Sequence, residues 1–332
     1  MATLILTMMA GHNKRMLIYK TNILHRPSTS ELRYLPEGPY SCNQGCISWV
    51  AIQNGTDAKV GSLNVLNLER AENESFAMDG RPGFAYPTDA AGVFVVGLER
   101  QVKLYNTATG ECRGISGPVE SEVEGTIIND GLVFDEGLIF GCKDLEFKTP
   151  KAGLYFWRSS DRQLFQLRDD QLCSNGKVIT RDQGRWGFLD IDSPTKRVVA
   201  YELDVDAGVI SDPQVILDFT SRVDIPDGMI GVPGGQSVIV AFYNPADAAF
   251  GEAVQFRLAD GEVEAVWRTA HSPRVTCPQL VRYGGGVKLV LTTAVEGMSP
   301  DQLGRHTNAG CLFWGDTDFD TVGDQPVFKL RG

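Results

Sequence analysis

Asn129-Asp130-Gly131, Asn175-Gly176 and Asp227-Gly228 follow one another at spacings of 46 and 52 residues, each just ahead of a hydrophobic, strand-like run. A carboxamide or carboxylate at the same place in successive units of roughly 40 to 50 residues points to a β-propeller whose blades each aim a polar side chain at the central axis. Taken singly, Asn-Gly and Asp-Gly are common hairpin dipeptides, and each reads as a turn opening a strand. Their recurrence adds the functional reading, because oxygen ligands converging on one axis make a site for a hard cation.

The remaining sequence fits an all-β ring. Long stretches of helical period are absent, and short β-rich runs bounded by Gly, Asp, Asn and Pro recur. The runs at 46–52, 92–97, 137–141, 186–190, 237–242 and 288–293 predict six blades of four strands, with outer hairpins such as Val102-Lys103-Leu104-Tyr105-Asn106 behind them. The ring is expected to close within one blade. An N-terminal strand at about 12–20, centred on Arg15-Met16-Leu17-Ile18-Tyr19, should pair with Gly310-Cys311-Leu312-Phe313-Trp314, making 1–332 a single propeller domain. Tryptophans 49, 157, 186, 267 and 314 fall about once per blade, as packing between blades requires.

Composition narrows the partners. With 42% hydrophobic and 22% charged residues, the 332-residue chain can bury a sizeable core. A net charge of -11 without a basic cluster argues against nucleic acid. The apolar opening Met1-Ala2-Thr3-Leu4-Ile5-Leu6-Thr7-Met8-Met9-Ala10 has no basic segment before it and is too short to span a bilayer, so no membrane partner is expected. Seven cysteines without a CxxC pair read as reduced thiols of a cytoplasmic protein. Neither the four histidines nor any GxSxG elbow marks another catalytic centre.

One more candidate ligand precedes the first run. Glu37, in Leu35-Pro36-Glu37-Gly38-Pro39-Tyr40, is a carboxylate held between two prolines. Glu37, Asn175 and Asp227 offer oxygen atoms only, which suits Ca²⁺, Mg²⁺ or Mn²⁺ better than a zinc site of Cys and His. Their two carboxylates would balance a divalent charge.

In order and spacing, Glu37-Gly38-Pro39, Asn129-Asp130-Gly131, Asn175-Gly176, Asp227-Gly228-Met229 and Val240-Ala241-Phe242-Tyr243-Asn244 resemble the regucalcin (senescence marker protein), gluconolactonase and luciferin-regenerating enzyme family, over about 30–315. The resemblance implies a six-bladed propeller with one divalent metal in the central channel, bound by Glu37, Asn175 and Asp227. Ca²⁺ is the first expectation, with Mg²⁺, Mn²⁺ or Zn²⁺ as alternatives. Asn129 would contact substrate beside the metal, with Asp130 nearby. The implied activity is hydrolysis of a small lactone, the metal polarising the carbonyl and Asp227 taking the proton of the attacking water. A non-catalytic calcium-binding or scaffold propeller is the alternative. Two departures bear on substrate. Many lactonases of the group carry Arg two residues before the Asn-Asp-Gly step to bind the sugar; here Ile127 stands there, which predicts a less hydroxylated, more apolar lactone. The segment Gly141-Cys142-Lys143-Asp144-Leu145-Glu146-Phe147 offers Lys143 and Asp144 as substitutes.

Overall fold

In a computed structural model that describes residues 16–42 and 45–330, six sheets stand around a common axis as a β-propeller. The innermost strands of blades one to six are Pro36–Cys42, Pro82–Pro87, Thr126–Phe134, Ser174–Asp182, Ile225–Gly231 and Val275–Tyr283. Each touches the innermost strands of the blades before and after it, and the sixth touches the first. The hydrophobic runs of the sequence are the second strands, such as Cys46–Ala51 and Ser237–Tyr243, almost wholly buried because every blade is sandwiched between two others. Burial on both faces is why they read as continuous apolar runs instead of alternations. Outermost strands such as Glu72–Met78 are polar and exposed.

The core is divided to match. Among the described residues, hydrophobic side chains gather into six clusters, one in each interface between neighbouring blades. Phe84 and Phe140 join blades two and three, Leu189 and Phe242 join four and five, and Trp49 and Val290 join one and six. Phe94 and Leu63, Phe134 and Phe188, and Trp267 and Leu289 fill the other three. Each fully buried side chain of this size contributes roughly 1.5–3 kcal/mol. The interfaces therefore hold the ring together and fix the angle between blades.

Every innermost strand carries a β-bulge. The pairing register shifts between Glu37 and Tyr40, Pro82 and Phe84, Ile128 and Gly131, Asn175 and Lys177, Pro226 and Met229, and Val275 and Pro278. This corrects the reading of the polar-glycine steps as turns ahead of a strand: they lie inside the innermost strands, and the apolar runs after them are the next strands out. A bulge adds one unpaired residue and re-aims the side chains around it. Gly176 and Gly228 are there for space. A Cβ on Gly176 would lie 2.8 Å from the carbonyl oxygen of Asp227, and one on Gly228 would lie 2.6 Å from Cys277 Sγ.

Ring closure also departs from expectation. Arg15 lies outside the described residues, and Leu17–Lys20 pairs in parallel with Val263–Ala270 on the outer edge of blade five. Tyr19 stacks on Trp267 there at 5.1 Å. The strand that closes blade six is the next one, Asn22–His25, antiparallel to Leu312–Asp316. The reason is packing: Leu24 fits the cluster of Trp49, Val290 and Leu312 between blades six and one, whereas Leu17 and Ile18 remain exposed. Thr21 carries the chain across, its Oγ1 donating to the carbonyl of Arg268 at 2.9 Å. Deletion through His25 should therefore lower the melting temperature by on the order of 10 °C relative to deletion through Lys20, because it opens blade six. Equal melting temperatures of the two truncations in scanning calorimetry would contradict this closure.

Candidate active site

Five of the six bulges carry a polar side chain of the central site: Glu37, Asn129, Asn175, Asp227 and Cys277 from blades one, three, four, five and six. Blade two contributes no polar side chain at its bulge. Its Gly83 lies where a Cβ would be 2.2 Å from the carbonyl oxygen of Asn129, so backbone meets backbone.

Two carboxamides form the most ordered part of the site. Asn129 Nδ2 donates to Asn175 Oδ1 at 2.7 Å and to the carbonyl of Ser174 at 2.9 Å. Asn175 Nδ2 donates to Ser193 Oγ at 2.8 Å and to Cys173 Sγ at 3.4 Å. With its amide nitrogen committed to blade four, Asn175 presents its oxygen to Asn129 and the axis. Asn129 and Asn175 are 5% and 7% exposed.

Carboxylates crowd the same space. Burial, then Asp227 and Asp130, push the Glu37 carboxyl well above its ordinary range. Burial and Asp130 do the same to Asp227, with Glu296 adding to the effect. Asp130 is raised by burial, against the pull of Lys177 and of the Gly131 amide that donates to its Oδ1 at 2.7 Å. Burial, Glu37, Asp130 and Asp227 together push the Cys277 thiol well up. Among the described residues, no ion pair reaches Glu37, Asp130 or Asp227, and no three His, Cys, Asp or Glu side chains could hold a metal by themselves. The donor set is thus one buried carboxylate, Asp227, and one half-buried, Glu37, both lacking an ion-pair partner among the described residues, beside an oriented carboxamide oxygen. That set fits a divalent cation, which would relieve the repulsion between Glu37 and Asp227.

Reasoning from sequence overlooked one cation, Lys177. Lys177, two residues past Asn175, is fully buried with Asp190 at 3.2 Å; its Nζ donates to Ser174 Oγ at 2.8 Å and to the carbonyl of Asn175 at 2.7 Å. Gln171 Nε2 completes the network with a 2.6 Å bond to Asp190 Oδ2. A lysine two residues past Asn175, directly after the Asn175-Gly176 step, was the available signal. The two substitutes on blade three part company. Asp144 accepts from the amides of Glu146, Lys148 and Thr149 and pairs with Lys151, which pulls its carboxyl down to about 2 against the opposing effect of burial. It is a loop cap. Lys143 is 8% exposed, and its charge draws Glu37 and Asp227 back toward their ordinary values. Ile127 is its cross-strand neighbour, 1% exposed.

A six-bladed propeller with carboxylates and carboxamides converging on its axis defines a class of ring-shaped proteins whose blades share one central site. Comparison with known proteins narrows the class. The SMP-30/Gluconolactonase/LRE-like region matches residues 35–295, and the chain belongs to that family. It is 28% identical over 189 residues, 56% of this chain and 60% of the other, to a Bacillus subtilis (strain 168) protein provisionally named sugar lactone lactonase YvrE. It is 26% identical over 202 residues, 59% of this chain and 64% of the other, to regucalcin of Oryctolagus cuniculus. The chain thus spans less than two thirds of the length of these curated relatives. Among solved structures, the calcium-binding regucalcin of Agrobacterium tumefaciens str. C58 superposes with a TM-score of 0.77 at 20% identity, covering 95% of this chain and 99% of that one. A luciferin-regenerating enzyme gives 0.73 at 19% identity, covering 90% and 96%.

The geometry makes Gly176 a sensitive neutral position. Gly176→Ala drives a methyl into Met229 and the Asp227 backbone and should cost about 1–3 kcal/mol in denaturant unfolding. Gly117→Ala, with nothing within 4 Å, should stay within about 0.5 kcal/mol of wild type. Equal stability of the two variants would refute the close approach of blades four and five.

Proposed function

We infer that the axial site hydrolyses a small lactone, with one divalent cation, calcium foremost, held by Glu37, Asn175 and Asp227. The observation that carries this reading is the pair of neighbouring carboxyls Glu37 and Asp227, without an ion-pair partner among the described residues, beside the Asn129–Asn175 carboxamide bond of 2.7 Å. Membership of a family that includes gluconolactonases supports it. When bound, the cation supplies stabilisation of negative charge on the lactone carbonyl oxygen, a contribution of several kcal/mol.

The chain's own groups account for the rest. Asn129 has both amide hydrogens committed to blade four, so its Oδ1 is the atom left to accept a substrate hydroxyl. Asp227 takes the proton as water adds to the carbonyl carbon, and returns it to the ring oxygen when the acyl C–O bond breaks. Asp130, anchored to the Gly131 amide, adds a third carboxyl beside Glu37 and Asp227. Ile127 gives the blade-three wall an apolar face without a donor.

A calcium-binding propeller without catalysis would use the same ligands, and turnover separates the two readings. Purified protein should hydrolyse a panel of γ- and δ-lactones, lose activity in EDTA and regain it with calcium. Asp227→Asn should lower kcat by about 100-fold or more, the usual cost of removing a general base. Absence of hydrolysis across the panel in the metal-replete protein would overturn the lactonase reading and leave the binding one.

A further inference from the structure

We propose that Lys143 is a substrate-binding residue, and that its ammonium selects lactones carrying a carboxylate beside the ring over neutral ones. Lys143 stands near the end of the second strand of blade three, Gly137–Asp144, where its backbone forms an isolated bridge to Cys173 of blade four. Cys173 in turn lies 3.7 Å from Asn129 Nδ2 and 3.4 Å from Asn175 Nδ2. The ammonium is therefore carried by the backbone that borders both axial carboxamides. Register pairs Lys143 with Ile127 across the hairpin, and paired residues share one face of the sheet.

Its surroundings give the ammonium no protein anion to hold. Among the described residues its Nζ makes no hydrogen bond or ion pair; the one contact is with the Phe147 ring, 5.9 Å to the centre and at the far limit of a cation–π interaction. Lys177 already has Asp190, and Asp130 answers to Lys177. The field of Lys143 falls on Glu37 and Asp227, the two groups that a divalent cation would neutralise. With those carboxylates engaged elsewhere, a lysine ammonium only 8% exposed calls for an anion from outside the chain. The position is also rigid. Asp144 next to it ties down the amides of Glu146, Lys148 and Thr149, and the Asp144 amide donates to the carbonyl of Leu172 at 2.8 Å. With Ile127 apolar beside it, blade three offers one charged contact on an apolar wall, which suits a single anionic substituent better than a ring of hydroxyls.

The reaction belongs to the lactonase reading above, but the recognition is testable by binding alone. The probes are 2-hydroxyglutarate and 4-hydroxyvalerate, the opened forms of a γ-lactone bearing a carboxylate or a methyl at the same carbon. In calorimetric titrations of the calcium-loaded protein, 2-hydroxyglutarate should bind at least about tenfold more tightly, as one charge-assisted bond provides. Lys143→Met should reduce that preference to about twofold or less while calcium affinity holds or rises, since a repelling charge has gone. Lys143→Arg should keep most of the preference. A wild type without the preference, or a Met variant that retains it, overturns the proposal; so does a Met variant that loses calcium binding along with it, which would mark a structural role. A Lys143-dependent preference in a protein that hydrolyses no lactone would sustain this assignment and defeat the lactonase reading.

Discussion

The structure depends on one local distortion repeated around the ring, the β-bulge in each innermost strand. A regular strand would point successive side chains up and down its blade, into the interfaces with its neighbours. The extra residue breaks that alternation at one level of the channel, so that Glu37, Asn129, Asn175, Asp227 and Cys277 meet there. Glycine makes the meeting tight. Gly83, Gly176 and Gly228 let backbone atoms of one blade approach those of the next more closely than any Cβ permits. Blade packing and site geometry are consequently one constraint: the hydrophobic clusters between blades set the distances at which the axial groups face each other.

That constraint concentrates charge at the centre of the ring. Glu37, Asp130 and Asp227 repel one another across a confined space, and each holds its proton more tightly than in water. Lys177 and Asp190 form a fully buried ion pair, and breaking such a pair typically costs about 3–5 kcal/mol. Because Lys177 also bonds the carbonyl of Asn175, the same pair fixes the strand that presents the Asn175 carboxamide. The site is thus arranged before any ligand arrives, and its electrostatic strain is the force that would draw a cation in.

Much of this was legible in the sequence, for stated physical reasons. Six apolar runs gave six blades because sandwiched second strands are buried on both faces. The spacing of Asn129, Asn175 and Asp227 pointed to the axis because blades of similar size repeat their bulges at similar intervals. Bulges themselves were not legible, since Asn-Gly and Asp-Gly suit a hairpin turn equally well and the choice is made by the neighbouring blade's backbone. Ring closure was displaced by one strand because Leu17-Ile18-Tyr19 and Ile23-Leu24 are equally strand-like, and only the packing of Leu24 against the Trp49 cluster distinguishes them. Lys143 and Asp144 were indistinguishable as adjacent charges; strand register sends one toward the site and the other into a loop.

The most direct test of the account is a crystal of this protein soaked in Mn²⁺ or a lanthanide and measured for anomalous scattering. The account predicts one strong peak on the propeller axis, coordinated by carboxylate oxygens of Glu37 and Asp227 and the carboxamide oxygen of Asn175. A peak elsewhere, or none in crystals that diffract well enough to show an ordered ion, would contradict it.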